Sequence, residues 1–237
     1  LNAYNYNEQT FTAYQHNPKN PHSLITNDVT DISPSTQHDD GLWISTYYRG
    51  IEYLDITSGQ FTHYNKNTVP DLPCEQTWTV LDGGDGNLYI GHVGSGFSIL
   101  SLKDKSVKNF RNEAGNPMSL PGNDVFCIIK DTNGNIWLGT NKGLALYNAA
   151  NENFITFKKN KNDKYDTLCS RILSIRQLKD NKLWIASELN GIAILNLKQS
   201  MFLSPEEMNT YRKVTIAEAS LTQVPDAYFR ILLITFG

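Results

Sequence analysis

Residues 120–148 read LPGNDVFCIIKDTNGNIWLGTNKGLALYN, and this stretch decides the fold. Asp124–Lys130 (DVFCIIK) is rich in β-branched and apolar residues, the composition of a strand buried on both faces. Asp131–Asn135 (DTNGN) follows, and its Asn-Gly pair supplies the positive φ angles of a tight hairpin turn. Ile136–Thr140 (IWLGT) is a second strand, Asn141-Lys142-Gly143 turns the chain again, and Leu144–Tyr147 (LALY) is a third. A polar loop, Asn148–Asn153, then leads into Phe154–Phe157 (FITF), a fourth.

Working outward, the same unit recurs. Leu24, Leu72, Leu120 and Leu168 lie at a constant spacing of 48 residues. Trp43, Tyr89, Trp137 and Trp184 follow at 46, 48 and 47, and Gly50, Gly96, Gly143 and Gly191 at 46, 47 and 48. Four short antiparallel strands repeated at this period are the signature of propeller blades. A helical repeat is excluded by the density of Gly, Asn and Asp and by the lack of a sustained i, i+3, i+4 apolar pattern. The expected fold is therefore all-β: a β-propeller of four-stranded antiparallel blades at about residues 22–64, 71–110, 119–157 and 167–211. Inner strands are expected within Val29–Ser33, Thr77–Leu81, Val125–Ile129 and Ile172–Leu178. The recurring aromatic of the second strand is expected to pack between blades in all four copies, Trp43, Tyr89, Trp137 and Trp184.

The two ends supply parts of a fifth blade. Leu1–Tyr4 and Phe11–Tyr14 align with Leu144–Tyr147 and Phe154–Phe157 at a constant offset of 143, which makes them third and fourth strands. Ala227–Gly237 aligns with Asp124–Gly134, a first strand, so the split blade comprises residues 1–14 and 221–237 and lacks its second strand. Strands sit about 4.8 Å apart, so the first and third cannot pair across that gap. The expectation is thus an open arc from a larger propeller rather than a closed five-bladed ring, and a piece of a longer protein.

The chain has 237 residues, 19% of them charged, and a net charge of −3. That leaves no excess of positive charge for a phosphate backbone, so nucleic acid is not an expected partner. No stretch approaches the roughly 20 apolar residues of a membrane span, so no membrane contact is expected within this segment. Cys74, Cys127 and Cys169 show no zinc-ligand spacing and are read as free thiols, which fix no compartment. GxSxG, HExxH, Walker A and GxGxxG motifs are absent, and no cofactor, metal or catalytic residue is expected. Asp131, Asn133 and Asn135, like Asp82, Asp85 and Asn87, superficially resemble a calcium loop but lack the Gly and Glu an EF-hand requires, and turn formation explains them better. Carboxylates are plentiful enough that composition alone leaves a glycosidase-like pair open.

The unit from Leu120 to Asn148 closely resembles the two-component regulator propeller repeat, and the resemblance extends over nearly all of Leu1–Leu197. The first copy (DDGLWISTYYRGIEYLD) and the fourth (DNKLWIASELNGIAILN) carry it recognisably. The second departs, with Tyr89 at the Trp position and His92 where the others have Thr or Ser, and is a candidate for adaptation to contact. The resemblance implies a periplasmic ligand-sensing region of a hybrid two-component protein. Such a region detects glycan fragments and signals to a histidine kinase absent from this chain. An interaction scaffold, with self-association or neighbouring blades as partners, is the alternative, and a carbohydrate-active propeller the next.

The up-and-down meander places the loops between second and third strands on the same face as the loops leading into each blade. This face gathers Tyr47, Tyr48 and Arg49, then Asn141 and Lys142, then Glu188 and Asn190, with Arg171 from a lead-in loop. His92 joins them as a candidate through its departure from the repeat. Tyr47, Tyr48 and Arg49 point most directly to an oligosaccharide, because aromatic faces accept the apolar face of a sugar and guanidinium binds carboxylate or sulfate bidentately.

Overall fold

The computed structural model describes residues 1–157, 167–178 and 181–197. The chain opens with β1 (Asn2–Asn5) and β2 (Thr10–Ala13), paired antiparallel as a two-stranded sheet. The first full blade is β3 (Val29–Pro34), β4 (Gly41–Thr46), β5 (Gly50–Asp55) and β6 (Gln60–Tyr64). The second is β7 (Thr77–Asp82), β8 (Asn87–His92), β9 (Phe97–Ser101) and β10 (Val107–Phe110). The third is β11 (Val125–Lys130), β12 (Ile136–Thr140), β13 (Gly143–Asn148) and β14 (Asn153–Thr156). The fourth sheet contains β15 (Ile172–Leu178), β16 (Lys182–Ser187) and β17 (Ile192–Asn196), preceded by a short 3-10 turn at Thr167–Cys169. Every sheet is an antiparallel meander, and β3, β7, β11 and β15 touch in succession along the inner edge. This is a β-propeller arc. The strand expected within 198–211 and the C-terminal part of the split blade, 221–237, lie outside the described residues.

The three sequence markers each perform a separate task between blades. Leu24, Leu72 and Leu120 are fully buried in the loops that lead into their blades. Trp43 packs against Val80 and Leu88 of the second blade, Tyr89 against Val125 and Leu138 of the third, and Trp137 against Ile175 and Leu183 of the fourth. Gly50 and Gly96 adopt φ of 81° and 80°, and each donates its N–H to the following lead-in loop, at Glu75 O (2.9 Å) and Asn123 O (2.8 Å). A Cβ at Gly96 would lie 2.1 Å from the carbonyl oxygen of Phe110, so both backbone angle and space require glycine.

Trp184 corrects the expectation that all four aromatics are buried: it is 37% exposed, against 4%, 7% and 3% for Trp43, Tyr89 and Trp137. Each aromatic packs on the blade that follows its own, and among the described residues no sheet follows β15–β17. At the other end, Leu1 and Tyr14 rest on Leu24, Leu54 and Phe61 of the first blade, while Tyr4, Tyr6 and Phe11 stand outward in mutual ring contact.

The hairpin aspartates are turn residues. Asp131 is buried and accepts from the N–H groups of Asn133 and Asn135 (both 2.9 Å) and from the indole of Trp137 (2.8 Å). Its carboxylate closes the turn and ties it to the aromatic it precedes.

A candidate ligand-binding face

All four inner strands contain the same irregularity. Pairing with the second strand slips between Val29 and Asp31, Thr77 and Thr79, Val125 and Cys127, and Ile172 and Ser174. One residue per blade is thereby taken out of the ladder: Thr30, Trp78, Phe126 and Leu173. A bulge of this kind re-aims a side chain while leaving the flanking register intact. Here the released side chains lie at the end of the inner strand next to the lead-in loops.

Two of the four are large aromatics, and they extend the tyrosines of the first blade into a row. Tyr48 and Tyr47 have ring centroids 4.2 Å apart at 77°, Tyr47 meets Trp78 at 5.9 Å and 80°, and Trp78 meets Phe126 at 5.6 Å and 87°. Arg171 closes the row, its guanidinium 4.4 Å from the centre of the Phe126 ring. Edge-to-face geometry repeats along the series, the arrangement that ring quadrupoles favour. Burial grades along it too, from Tyr48, 52% exposed, to Phe126, 5% exposed. Burial, together with Tyr47 and the Asp28 carboxylate, pushes the Tyr48 phenol above its ordinary value, so it stays a neutral donor.

The remaining residues divide into exposed and committed groups. Arg171 pairs with Glu188 at 3.2 Å, both side chains about two-fifths exposed, so the pair can open toward a ligand. Arg49 and Lys142 are exposed. Asn141 is held by Asp124, whose carboxylate accepts from Asn141 Nδ2 (2.9 Å) and from the N–H of Gly94 (2.7 Å), bracing the loops of neighbouring blades. The N–H of Asn190 donates to Ser187 Oγ and shapes its own turn.

His92 is a correction. It is completely buried, its Nε2 2.8 Å from Ser98 Oγ and its Nδ1 3.5 Å from Cys74 Sγ. Asn109 donates to the same Ser98 oxygen (3.0 Å). Burial depresses the imidazole to about pKa 4, so it is neutral and spent on internal bonds. At the matching position Thr46 and Thr140 donate to the glycine carbonyl of their own turn, and His92 replaces that link with one to the third strand and the lead-in loop. Its departure from the repeat is internal and offers a ligand nothing.

Trp78 and Phe126 are the residues that loop composition overlooks. The available signal was the second position of each inner strand, where size varies freely from Thr30 to Trp78 to Phe126 to Leu173. Among the described residues there is no group of three metal-ligating side chains.

Residues 119–142 match the family described as the two-component regulator propeller. Histidine kinase P4 of Formosa agariphila is 33% identical over 94 residues, which is 38% of this chain and 7% of the kinase. The extracellular domain of BT3049 from B. thetaiotaomicron, assigned to a hybrid two-component system, superposes with a TM-score of 0.72 at 63% identity, over 84% of this chain and 24% of that one. The β-propeller of Myceliophteria thermophila Swd1 shares the fold alone, with a TM-score of 0.59 at 11% identity over 86% of this chain and 62% of its own. This chain thus spans about a quarter of the BT3049 domain and a small part of the kinase. It carries the two-component regulator propeller repeat, in a β-propeller fold shared with the extracellular domain of a Bacteroides hybrid two-component system.

Proposed function

We propose that this chain is the ligand-sensing segment of an extracytoplasmic, periplasmic receptor that recognises glycan fragments and signals to a histidine kinase elsewhere in its parent protein. The observation that carries this reading is the row Tyr48, Tyr47, Trp78, Phe126 and Arg171, which crosses all four blades on one face. The rings meet edge to face, and the outer ones, Tyr48, Tyr47 and Trp78, offer apolar surface to the C–H face of a sugar unit, while the Arg171–Glu188 pair offers donors and acceptors for hydroxyl or carboxylate groups at the end of the row. Similarity to the BT3049 extracellular domain supports the location and the sensor role.

Calorimetric titration with a panel of neutral and acidic oligosaccharides, with product analysis of each mixture, tests it. Saturable binding without turnover, weakened in Tyr47→Ala and Trp78→Ala, is the expected result. Turnover by the chain itself would replace the sensor reading with an enzymatic one. An interaction scaffold is favoured by one observation, the outward cluster of Tyr4, Tyr6 and Phe11, which are 42%, 66% and 74% exposed. Concentration-dependent self-association, with no response to any glycan, would establish that reading instead.

A further inference from the structure

The junctions between blades are built to one plan but filled differently. Between the first and second blades, Trp43 stacks on Tyr53 at 4.9 Å and on Tyr64 at 5.2 Å, and its indole reaches Asp82 across the junction. Between the second and third, the same three positions hold Tyr89, Ile99 and Phe110. The ring at 89 is smaller and its hydroxyl donates to Asp85 in its own hairpin (2.8 Å), while the ring at 53 is replaced by an aliphatic side chain. The added bulk at this junction, Phe97, Tyr147 and Phe154, lies deeper, in the aromatic pile. A cleft of about 400 Å³ opens beside Tyr89 and Ile99, toward the hairpin face of the propeller and away from the aromatic row.

The cleft has a distinct chemistry. Tyr89, Ile99, Val107 and Tyr147 give it an apolar and aromatic floor, at the margin of an aromatic pile that continues through Phe97 and Phe154. Asp85 and Asn87 stand on one side and Glu152 on the other, with Lys108 paired to Glu152. Glu152 sits in the hairpin between β13 and β14 at a positive φ of 52°, and Lys108 holds its carboxylate. Donors and acceptors therefore rim a flat apolar base. An anion would meet two carboxylates against one ammonium, and a cation would have to displace Lys108 or Tyr89 from its partner. A neutral polyol meets neither obstacle.

We propose that this inter-blade cleft is a second binding site, separate from the aromatic row, that takes one neutral pyranose unit. The volume lies at the small end of the range for small-molecule sites, as a single ring requires. Hydroxyl groups would bridge Asp85 and Glu152 on opposite blades while the C–H face lies over Tyr89 and Ile99. Occupancy would then link the second blade to the third. The inference does not depend on the function proposed for the opposite face.

The test uses the isotopically labelled chain and three probes, D-glucose, D-galactose and N-acetyl-D-glucosamine, followed through backbone amide shifts. At least one probe is expected to move Asn87, Lys108 and Ala149 saturably in the millimolar range. The double variant Tyr89→Trp, Ile99→Tyr transplants the filling of the first junction, and binding at these amides is expected to weaken by about tenfold or more. Should that variant fail to fold, Lys108→Met, at an exposed position, is expected to weaken the same response severalfold. Shifts absent from these amides, unchanged in the variants, or confined to Tyr47, Tyr48 and Arg171 would overturn the proposal. The last of these outcomes would leave the function proposed for the aromatic row standing.

Discussion

Both junctions between the first three blades have an apolar core, but the first adds a set of buried side-chain hydrogen bonds between its inner strands, where the second has apolar contact. At the first, Thr77 Oγ1 donates within reach of two carbonyls, Thr46 O at 2.7 Å and Gly50 O at 2.8 Å, and Thr79 Oγ1 donates to Asp31 at 2.6 Å. Asp82 accepts from the N–H and hydroxyl of Thr36 and from Trp43. At the second, those threonines become Val125 and Cys127, and the contact rests on Tyr89, Phe97, Leu120, Leu138 and Phe154. One backbone plan thus accepts two kinds of interface. Polar bonding fixes geometry and costs heavily when one partner is lost, whereas apolar packing is indifferent to pH and answers to volume.

The contrast can be broken most severely at Phe97. Its ring is fully buried and meets Tyr89, Phe110, Tyr147 and Phe154 at centroid distances of 5.6–6.0 Å. Phe97→Ala is expected to destabilise the chain by about 3–5 kcal/mol in denaturant titration, with no dependence on pH between 5 and 8 (a range of about three units). Asp82→Ala is the polar counterpart, expected at about 2–4 kcal/mol because the Trp43 indole and the Thr36 hydroxyl lose their acceptor inside the junction. Burial pushes the Asp82 carboxyl up, but the bonds from Thr36, Gly84 and Trp43 outweigh it and hold the group below its ordinary value. The stabilisation is therefore present above the unfolded carboxyl pKa and lost as pH falls through the folded one. Acid titration of wild type against Asp82→Ala should show the difference between them shrinking below about pH 4.

Gly96→Ala is expected to cost about 1–3 kcal/mol, since the new Cβ meets the Phe110 carbonyl at a φ that L residues rarely adopt. A thermal melt that left Tm unchanged would show the turn to be more plastic than its bond to Asn123 implies. Glu52 sharpens the pH comparison because its sign is opposite. It is completely buried, accepts from the N–H of Ile25 at 2.9 Å, and lies 3.3 Å from His63 Nδ1, whose Nε2 donates to Pro21 O. Desolvation raises its pKa to about 7, against the partial opposition of Ile25 and His63. A raised folded pKa gives stability that is full below the unfolded value and lost as pH rises through 7, so Glu52→Gln should gain on wild type by on the order of 1–2 kcal/mol between pH 5 and pH 8. A difference between the two proteins that stays constant across that interval would show that Glu52 is already ionised in the folded chain. The smallest effect is expected at Arg171→Ala: its ion pair is half exposed, so stability should change by less than about 0.5 kcal/mol while glycan affinity falls.

Periodicity made the blade plan readable because packing imposes the same residue types at the same register in every copy. The inner strands expected at Val29, Thr77, Val125 and Ile172 begin at those residues as β3, β7, β11 and β15. Trp184 could not be read that way: its register is that of a buried aromatic, but burial belongs to the neighbour it meets and not to the residue. The candidate face was read from loop composition, which singled out Tyr47, Tyr48, Arg171 and Glu188 among others. Trp78 and Phe126 were hidden because a bulge is a property of pairing, and within one strand it leaves no mark beyond an unusually variable position. His92 misled for a related reason. A departure from a repeat looks alike whether it serves a ligand or a compensating partner, and here Ser98 and Cys74 are that partner.

The repeated bulge has a consequence for how such a protein diversifies. In a regular ladder, an inserted residue would rotate every later side chain to the wrong face of the sheet, and an enlarged one would press on its cross-strand neighbours. Here one position per blade already stands outside the ladder, so Thr30, Trp78, Phe126 and Leu173 can each be exchanged without disturbing the alternation on either side. Under the proposed function, this end of the blades becomes a short alphabet written one letter per blade, in which new specificity would be spelled by single substitutions while the walls that hold the letters stay the same.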